Sequence, residues 1–416
     1  MGLRPAIRTG RRGRLKRLLI AGVVAGTLTT GVPGAASAAT TDGPDFELPF
    51  PCGDTWTGTS RYNHSPSSLS IDFNKTNDLG APMVAAAPGV ITSVVNLGDR
   101  SYGRYIIVDH GGGWTTLYAH LSAFWSMQGQ AVDQGTVLGL VGTSGGSTGP
   151  HLHFEQRLNR VDQRAYFGRT PFTMGTTLAS ANCGDTPVMG DWDGNGTTNV
   201  GVFRRSAASV FHLKRPKRAA LDITYGRPTD QPISGDWNGD GKIDVGVRRP
   251  GSMAFLLRKP DGTTTTVPLG RLSDFALTGD WNGDGRTDLG VWHPSTRVFT
   301  LRTSTGAIST VTLGSLGDRP VAGDWNGDKR TDLGVYSAST STFTLRSVSR
   351  TGVVTIKRVG LGTPWSLPVA GDWNEDGIGD VGVWDPSTAA FQLRLTPTIA
   401  GRTATLRTPS WGVPRG

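Results

Sequence analysis

The sequence lacks sustained helical periodicity, and after residue 38 it has no hydrophobic run long enough to cross a membrane. Hydrophobic residues make up 36% of the 416 positions, and there are 59 glycines. This combination favours loop-rich β structure over a helical bundle, and the length allows two or three domains. A basic surface is also missing. Seven of the 42 Lys and Arg residues lie in 1–38, which leaves 35 against 33 acidic residues, so the net charge does not indicate nucleic-acid binding.

Residues 1–38 have the pattern of an export signal. A basic start precedes an apolar run over 18–32, and small residues at 36–38 form a cleavage site. The run is too short and too rich in glycine for a membrane span. We expect cleavage after residue 38 and a secreted protein. Arg11 and Arg12 resemble a twin-arginine signal, while the general secretory route stays open.

Cysteine is scarce in this exported chain. Cys52 and Cys183 are the only two, and they predict a disulfide between the start and the end of a first domain. A loop of this length stabilises by about 5 kcal/mol in the chain-entropy model. Two unpaired thiols are the alternative. We place an extended lead-in at 39–51 and the first domain at 52–183.

The first domain has a pair of histidines separated by one leucine. On a strand, His151 and His153 project to one face and Leu152 packs behind them. Such a pair needs a third ligand to form a metal site, and the chain offers candidates in His64, Asp72 and His120. Upstream, residues 104–110 and 114–120 flank three glycines and predict a hairpin.

From residue 184 to 416 the sequence repeats. A core that begins Asp-Trp-Asp/Asn returns at positions 191, 236, 280, 324 and 372. Each copy continues with strand-like segments, and three or four short strands in a unit of this length suit a propeller blade. The sequence therefore predicts an all-β fold, with an antiparallel sheet domain followed by a five-bladed β-propeller. The alternative is a row of sheets that does not close into a ring.

Each repeat carries side-chain oxygens at positions 1, 3, 5 and 9 of its loop. Alternating carboxylate and amide oxygens around a glycine turn suit Ca²⁺, and the loops resemble those of FG-GAP-type repeats. They differ from an EF-hand, since no glutamate stands at position 12. The predicted calcium ligands are Asp191, Asp193, Asn195 and Asn199; Asp236, Asn238, Asp240 and Asp244; Asp280, Asn282, Asp284 and Asp288; Asp324, Asn326, Asp328 and Asp332; and Asp372, Asn374, Asp376 and Asp380. We expect a structural role for this calcium, with the weakest binding in the first loop. A plain turn with a packing tryptophan is the alternative.

The first domain offers three ligands for a catalytic zinc ion. Such an ion takes three protein ligands and keeps a fourth position open, and His64, Asp72 and His153 are the best set. Together with zinc these ligands form a site of net positive charge. Such a site lowers the pKa of the bound water and polarises a substrate carbonyl. His120 and His151 suit proton transfer or stabilisation of the oxyanion.

Residues 52–165 resemble the lysostaphin-like and β-lytic zinc metallopeptidases, which cut peptide bonds in peptidoglycan cross-links. The matching motifs are His64 with Ser-Ile-Asp-Phe-Asn at 70–74, Leu-Tyr-Ala-His-Leu at 117–121, and a segment ending in His-Leu-His-Phe-Glu at 151–155. The resemblance implies that His64, Asp72 and His153 bind zinc and that His120 and His151 are catalytic. Eight positions separate His64 from Asp72, where many members have four. We interpret this as a longer loop, with His110 as a possible substitute ligand.

The sequence therefore predicts a secreted, cell-wall-associated zinc endopeptidase that acts on peptidoglycan. The repeats would serve targeting or stability, and the protein is expected to be a monomer. Their partner could be an anionic wall polymer, through the basic segment 214–218, or a protein. Two alternatives stay open, a non-catalytic wall-binding or regulatory protein and an extracellular protease for glycine-rich proteins. The sequence also does not identify the peptide bond that is cut. It does not distinguish remodelling of the producer's own wall from lysis of competing bacteria.

Overall fold

The computed structural model describes residues 2, 43–60, 64, 66–206, 208–396, 404–407 and 410–413. Apart from Gly2, the predicted export signal lies outside these residues. Residues 43–416 form one compact unit. The described residues contain strands and two short 3₁₀ turns, Pro250–Ser252 and Ala338–Thr340, and no helix among them is long and apolar enough to span a bilayer.

The region before Cys183 contains fourteen described strands. They are β1 (Thr55–Thr59), β2 (Ile71–Asn74), β3 (Pro82–Val84), β4 (Gly89–Asn96), β5 (Arg104–Gly111), β6 (Trp114–Ala119), β7 (Ala123–Phe124), β8 (Ala131–Val132), β9 (Val137–Leu140), β10 (Leu152–Leu158), β11 (Val161–Gln163), β12 (Tyr166–Phe167), β13 (Thr170–Pro171) and β14 (Thr177–Ala179). Nine form one sheet in the order β14-β1-β2-β10-β6-β5-β4-β8, with β11 also paired to β10. A three-stranded sheet (β3-β9-β7) and the pair β12-β13 complete the region.

Strands β2, β10 and β6 lie side by side in the middle of the large sheet and are antiparallel. Their apolar side chains alternate onto the core face, where Phe73, Tyr118 and Phe154 are fully buried. The opposite face is thereby left to the polar residues between them. The hairpin predicted around the three glycines is confirmed, since β5 pairs with β6 there.

The core of this region begins before Cys52. Phe46, Leu48 and Phe50 are at most 4% exposed and belong to the same hydrophobic cluster as Phe73. These three apolar residues at every second position lie within the segment that the sequence suggested as a lead-in, and they make it part of the core. The predicted disulfide is confirmed: Cys52 and Cys183 are bonded, with their Cα atoms 4.8 Å apart. The bond ties the two ends of the region together.

The repeat region contains five antiparallel sheets of four strands each. Within every sheet the strands are neighbours in chain order. The strands are β15 (Asp185–Gly190), β16 (Asn199–Arg204), β17 (Val210–Leu213) and β18 (Leu221–Thr224); β19 (Gln231–Gly235), β20 (Asp244–Arg249), β21 (Ala254–Arg258) and β22 (Thr264–Pro268); β23 (Phe275–Gly279), β24 (Asp288–His293), β25 (Val298–Arg302) and β26 (Ile308–Thr312); β27 (Asp318–Gly323), β28 (Asp332–Ser337), β29 (Thr342–Val348) and β30 (Val354–Gly360); and β31 (Leu367–Gly371), β32 (Asp380–Asp385), β33 (Ala390–Leu395) and β34 (Ala404–Arg407). Each predicted calcium loop joins the first strand of a sheet to the second.

The first strands of the five sheets contact one another in a cycle. Strands β15, β19, β23, β27 and β31 touch in this order, and β31 also touches β15. A second link joins the last sheet to the first. The Val413 amide donates to Asp185 Oδ2 over 2.7 Å, and the Trp411 indole donates to the His212 carbonyl over 3.0 Å. Gly412, between Trp411 and Val413, has a φ of +108°. Residues with a side chain rarely adopt this conformation.

Residues 125–137 of the first region pack against the beginnings of these first strands. Asp133 forms an ion pair with Arg319, and a Cβ on Gly251 would lie only 2.7 Å from the Trp125 ring. A cavity of about 190 Å³ remains at this junction, lined by equivalent residues of the five first strands, such as Pro187 and Pro232. The predicted calcium loops follow the other ends of the same strands, away from this junction.

Candidate active site

The residues of the predicted zinc site meet at the middle of the large sheet. Asp72 on β2 and His153 on β10 are directly opposite each other in the ladder, so their side chains share one face. His120 directly follows β6, and His151 precedes β10 in a bridge to Gly142. His64 comes from the loop between β1 and β2, and its Nε2 lies 2.9 Å from Asp72 Oδ2.

Three imidazoles surround the Asp72 carboxylate. His153 Nδ1 lies 3.2 Å from Asp72 Oδ1, and His151 Nε2 lies 3.5 Å from the same oxygen. The His64 and His153 rings are 5.0 Å apart between centroids. All of these side chains are buried or nearly so, with 2% of the His153 side chain exposed. The longer spacing between His64 and Asp72 in the sequence therefore does not separate them in space.

The outer nitrogen of each ring has an acceptor. His64 Nδ1 lies 3.1 Å from the Ser67 carbonyl, His151 Nδ1 lies 2.9 Å from the Gly149 carbonyl, and His153 Nε2 lies 2.8 Å from Glu155 Oε1. A carbonyl or carboxylate accepts only from N–H, so each ring can keep its proton on this outer nitrogen when its inner nitrogen binds a cation. In that state the inner nitrogens and the Asp72 carboxylate can act together as ligands.

The charges of the cluster follow from this arrangement. Burial raises the pKa of Asp72, but the His153 hydrogen bond and the charges of His151 and His64 outweigh it, and the pKa lies below its usual value. Burial lowers the pKa of His153, yet its bonds to Asp72 and Glu155 raise the pKa above the usual value. The site therefore favours positive charge at its centre.

The donor set fits a zinc ion. One ligand atom each from His64, Asp72 and His153 lie within 4.8 Å of one another, and this is the only such group found among the described residues. Tetrahedral zinc with bonds of about 2.0–2.1 Å places its ligand atoms about 3.4 Å apart, close to the 2.9 and 3.2 Å separations from Asp72. These three residues could hold the metal.

His120 lies on the other side of His151. The two ring centroids are 4.8 Å apart. His120 Nδ1 lies 2.7 Å from the Ser144 carbonyl, so its proton sits there and Nε2 keeps a lone pair. Burial lowers the pKa of His120 to about 4. Its φ of +62° is unusual for a residue with a side chain, and it turns the chain out of β6 at the site.

His110 is not a substitute ligand. It is fully buried on β5, with Nδ1 2.7 Å from the Pro88 carbonyl and Nε2 2.8 Å from Thr116 Oγ1. Both ring nitrogens are therefore occupied within the core, and the residue is structural. In the repeats, His212 and His293 pair with Asp222 and Asp274.

The sequence reasoning missed the residues behind His153. Glu155 is 2% exposed, and besides His153 it accepts a hydrogen bond from the Tyr102 hydroxyl at 2.8 Å and pairs with Arg157. Burial raises the pKa of Glu155, but the bond from His153 and the charge of Arg157 bring it below its usual value. The signal was available, because Glu155 stands two residues after His153 on one strand and so shares its face.

Hydrogen bonds join some of the predicted ligands in the repeat loops, as where Asn282 Nδ2 donates to Asp284 Oδ2 over 2.9 Å, but no three carboxylates of a described loop form a group like that at Asp72. In the second loop, Asp236 accepts backbone N–H groups of Gly239, Asp240 and Gly241, which shapes the turn without an ion. Burial, reinforced by Asp240 and Asp236, raises the pKa of Asp244 to about 6. One carboxylate oxygen in each of three loops is buried and has no hydrogen-bond partner among the described residues; these belong to Asp193, Asp244 and Asp328.

Two segments of the chain match known protein families. Residues 67–165 match the family described as Peptidase family M23, and residues 236–291 match the FG-GAP-like repeat. The first match contains Asp72, His120, His151 and His153, while His64 lies just before it. Residues 67–165 are therefore similar to the M23 peptidases, and part of the repeat region is similar to FG-GAP-like repeats.

Curated relatives share the same segment. The DD-carboxypeptidase/endopeptidase Mpg of Neisseria meningitidis is 51% identical over 80 residues, which are 19% of this chain and 18% of that protein. The peptidoglycan DD-endopeptidase ShyA of Vibrio cholerae is 31% identical over 113 residues, 26% of each chain. The chain thus spans about a fifth to a quarter of these relatives.

Among solved structures, the catalytic domain of lysostaphin from Staphylococcus simulans is 26% identical, covers 29% of this chain and 86% of its own, and has a TM-score of 0.22. The M23 metalloprotease pseudoalterin is 23% identical, covers 45% of this chain and all of its own, and has a TM-score of 0.27.

Proposed function

We propose that the protein is a secreted zinc endopeptidase that cleaves peptide cross-links of bacterial peptidoglycan. The observation that carries this proposal is the set of inner nitrogens of His64 and His153 around Asp72, each held by an outer acceptor. The similarity of residues 67–165 to peptidoglycan DD-endopeptidases supports the substrate. A bound zinc ion would supply the Lewis acid that peptide hydrolysis needs.

The chain's own residues supply proton transfer. His120 and His151 each donate Nδ1–H to a backbone carbonyl, so each keeps Nε2 as a base beside the metal ligands. One can accept a proton from the attacking water, and one can return a proton to the leaving amine. Ser144 and Gly149, whose carbonyls fix the two rings, belong to the loop between β9 and β10 and so position both bases.

The test is mass spectrometry of fragments released from purified cross-linked peptidoglycan by the mature protein, residues 39–416. We expect new peptide termini, and these identify the bond. His153→Ala should lose both zinc and activity, whereas His120→Ala should keep zinc and lose activity. His212→Ala, in the repeats, is the matched control and should keep both.

No cleavage by folded, zinc-loaded protein would overturn the enzymatic proposal in favour of a wall-binding or regulatory protein. Faster cleavage of glycine-rich protein substrates than of peptidoglycan would assign the alternative protease.

We also propose that the five sheets are the blades of a closed propeller whose loops bind calcium. The cyclic contact of the first strands and the link from Val413 to Asp185 support closure. The buried, unpartnered oxygens of Asp193, Asp244 and Asp328 support a cation, because such a group is costly without a partner. Calcium would neutralise the clustered carboxylates and stabilise the repeats.

Calorimetric titration of metal-stripped, zinc-restored protein tests calcium binding. We expect at least four sites, and a melting temperature that rises with calcium more than with magnesium. Asp244→Ala should remove one site, while Asp261→Ala, at an exposed turn outside the loops, should remove none. An unchanged melting temperature with no heat of binding would reject the calcium sites.

A further inference from the structure

One junction between neighbouring sheets departs from the other four. At position 8 of the loops the chain has Thr198, Ile243, Thr287 and Thr331, all β-branched, but Gly379 in the fifth copy. The threonines reach across to the adjacent sheet, as where the Asp236 amide donates to Thr287 Oγ1 over 2.9 Å. Gly379 has only its backbone amide, which donates to the Asp324 carbonyl.

A cavity of about 180 Å³ lies at this junction, between the fourth and fifth sheets. A Cβ on Gly379 would lie 3.0 Å from the Asp324 carbonyl oxygen and 3.2 Å from the Trp325 ring, so the glycine packs closely against the fourth loop at one wall of this cavity. Leu345, Val359 and Val381, all buried, form apolar walls. One water needs only about 10–15 Å³ of such space, and the cavity therefore has room for a ring-sized group.

The second departure is a cation at the same place. Lys357 lies opposite Leu345 in the ladder, where the other sheets have Leu221, Thr265, Ser309 and Leu406. Arg394 also lines the cavity. Neither cation forms an ion pair or a side-chain hydrogen bond with any residue that the structure describes. Two independent changes in the repeat pattern thus meet at one cavity.

We propose that this cavity binds a pyranose sugar that carries a carboxylate. The indole of Trp325 and the apolar walls suit the C–H face of a sugar ring. Lys357 and Arg394 provide charge-assisted hydrogen bonds to the carboxylate. Lys357 is exposed and Arg394 is half-buried, so both cations are accessible to a ligand. A neutral sugar would make no charge-assisted bonds to them, and an extended phosphate polymer would not use the apolar walls. No residue of the candidate zinc site lines this cavity, so the proposal does not rest on the proposed peptidase activity.

The binding test uses the mature protein with zinc and calcium present. N-acetylmuramic acid, glucuronic acid and the neutral N-acetylglucosamine are titrated while tryptophan fluorescence and saturation-transfer NMR are recorded. We expect saturable binding of at least one carboxylate sugar, at least tenfold tighter than that of the neutral sugar. The tighter of the two acids identifies wall glycan or a uronic-acid polysaccharide as the source. Equal affinity for all three sugars, or no binding, would overturn the proposal.

Three variants locate the site. Gly379→Thr restores the residue found at three other junctions and should remove binding by filling the cavity. Lys357→Thr, the residue of the second sheet, should weaken binding at least tenfold. Arg358→Thr removes the same charge from the other face of β30 and should leave binding unchanged. If Gly379→Thr lowers the melting temperature, only Lys357→Thr is used to test the site. Unchanged sugar binding by the Lys357→Thr variant would then reject the site.

Discussion

At the scale of single residues, the acceptors behind the proposed metal ligands determine what the histidines can do. Glu155 fixes His153 so that Nδ1, and not Nε2, faces Asp72. The pair His151 and His153 was predictable from the sequence because period two is a local property of a strand. The acceptors Ser67, Ser144 and Gly149 were not, since they act through backbone carbonyls, which no sequence pattern reports.

We therefore predict that Glu155→Gln lowers zinc affinity about 10–100-fold, the usual effect of losing such an orienting partner. Competition with a chromophoric chelator measures the affinity. Asp162→Asn is the matched control, because Asp162 is the other carboxylate partner of Arg157 and does not contact His153. Equal zinc affinity in Glu155→Gln and the parent would show that Glu155 serves packing only.

His110 predicts a pH dependence of stability. Burial lowers its pKa from 6.5 to about 4, so the unfolded chain takes up the proton first as the pH falls. The stabilisation from neutral His110 is complete above about pH 6.5 and is lost between pH 6.5 and 4, by about 3 kcal/mol at about 1.4 kcal/mol per pH unit.

His110→Gln should remove this loss, since glutamine does not titrate. Urea unfolding of both proteins between pH 7 and 4 should show the difference between their free energies of unfolding shrinking by about that amount. Parallel curves would mean that His110 is not held neutral in the folded protein.

At the scale of elements, the strands followed closely from apolar alternation and from glycine and proline punctuation. The repeat spacing predicted five similar units. The role of the threonine at position 8 of the loops could not be predicted, because its partner lies in a neighbouring repeat. Thr287 both donates its amide to the Asp236 carbonyl and accepts the Asp236 amide at its hydroxyl. Such reciprocal bonds join consecutive sheets side to side.

Thr287→Val keeps the shape of the side chain but leaves the buried Asp236 amide without its acceptor. We expect a loss of about 1–3 kcal/mol in the free energy of unfolding, measured by chemical denaturation. Thr266→Val, at an exposed position of β22, should cost far less. A loss no larger than that of this control would argue against the junction bond.

At the scale of the whole molecule, closure of the proposed propeller would depend on contacts between the two ends of the repeat region. The pattern Gly-x-x-x-Asp occurs at Gly226, Gly270 and Gly314, and each acidic residue accepts an amide just after its glycine. Asp185 has no glycine four residues before it in the sequence. Its equivalent is Gly412, at the far end of the repeat region, since Asp185 accepts the amide of the next residue, Val413. The pattern was visible in the sequence, but pairing its separated halves required the three-dimensional arrangement.

Trp411→Ala should weaken this link, because Trp411 packs on the cluster that contains Val200, Val202 and Leu393. For a half-buried tryptophan we expect a loss of about 2 kcal/mol. Hydrogen exchange followed by mass spectrometry should speed up in β15 and β31 and stay unchanged in β23, which serves as the internal control. A uniform increase over all five sheets would contradict a local link.

The link between Val413 and Asp185 also orders events during synthesis. The first region is covalently bounded at Cys183, so all of its strands can pair before any repeat has emerged. The first sheet, in contrast, must wait for a partner 228 residues downstream, and contacts of such high sequence separation form late. Synthesis that stalls within the repeats would leave a folded first region attached to a row of repeat sheets that lacks this link between its ends.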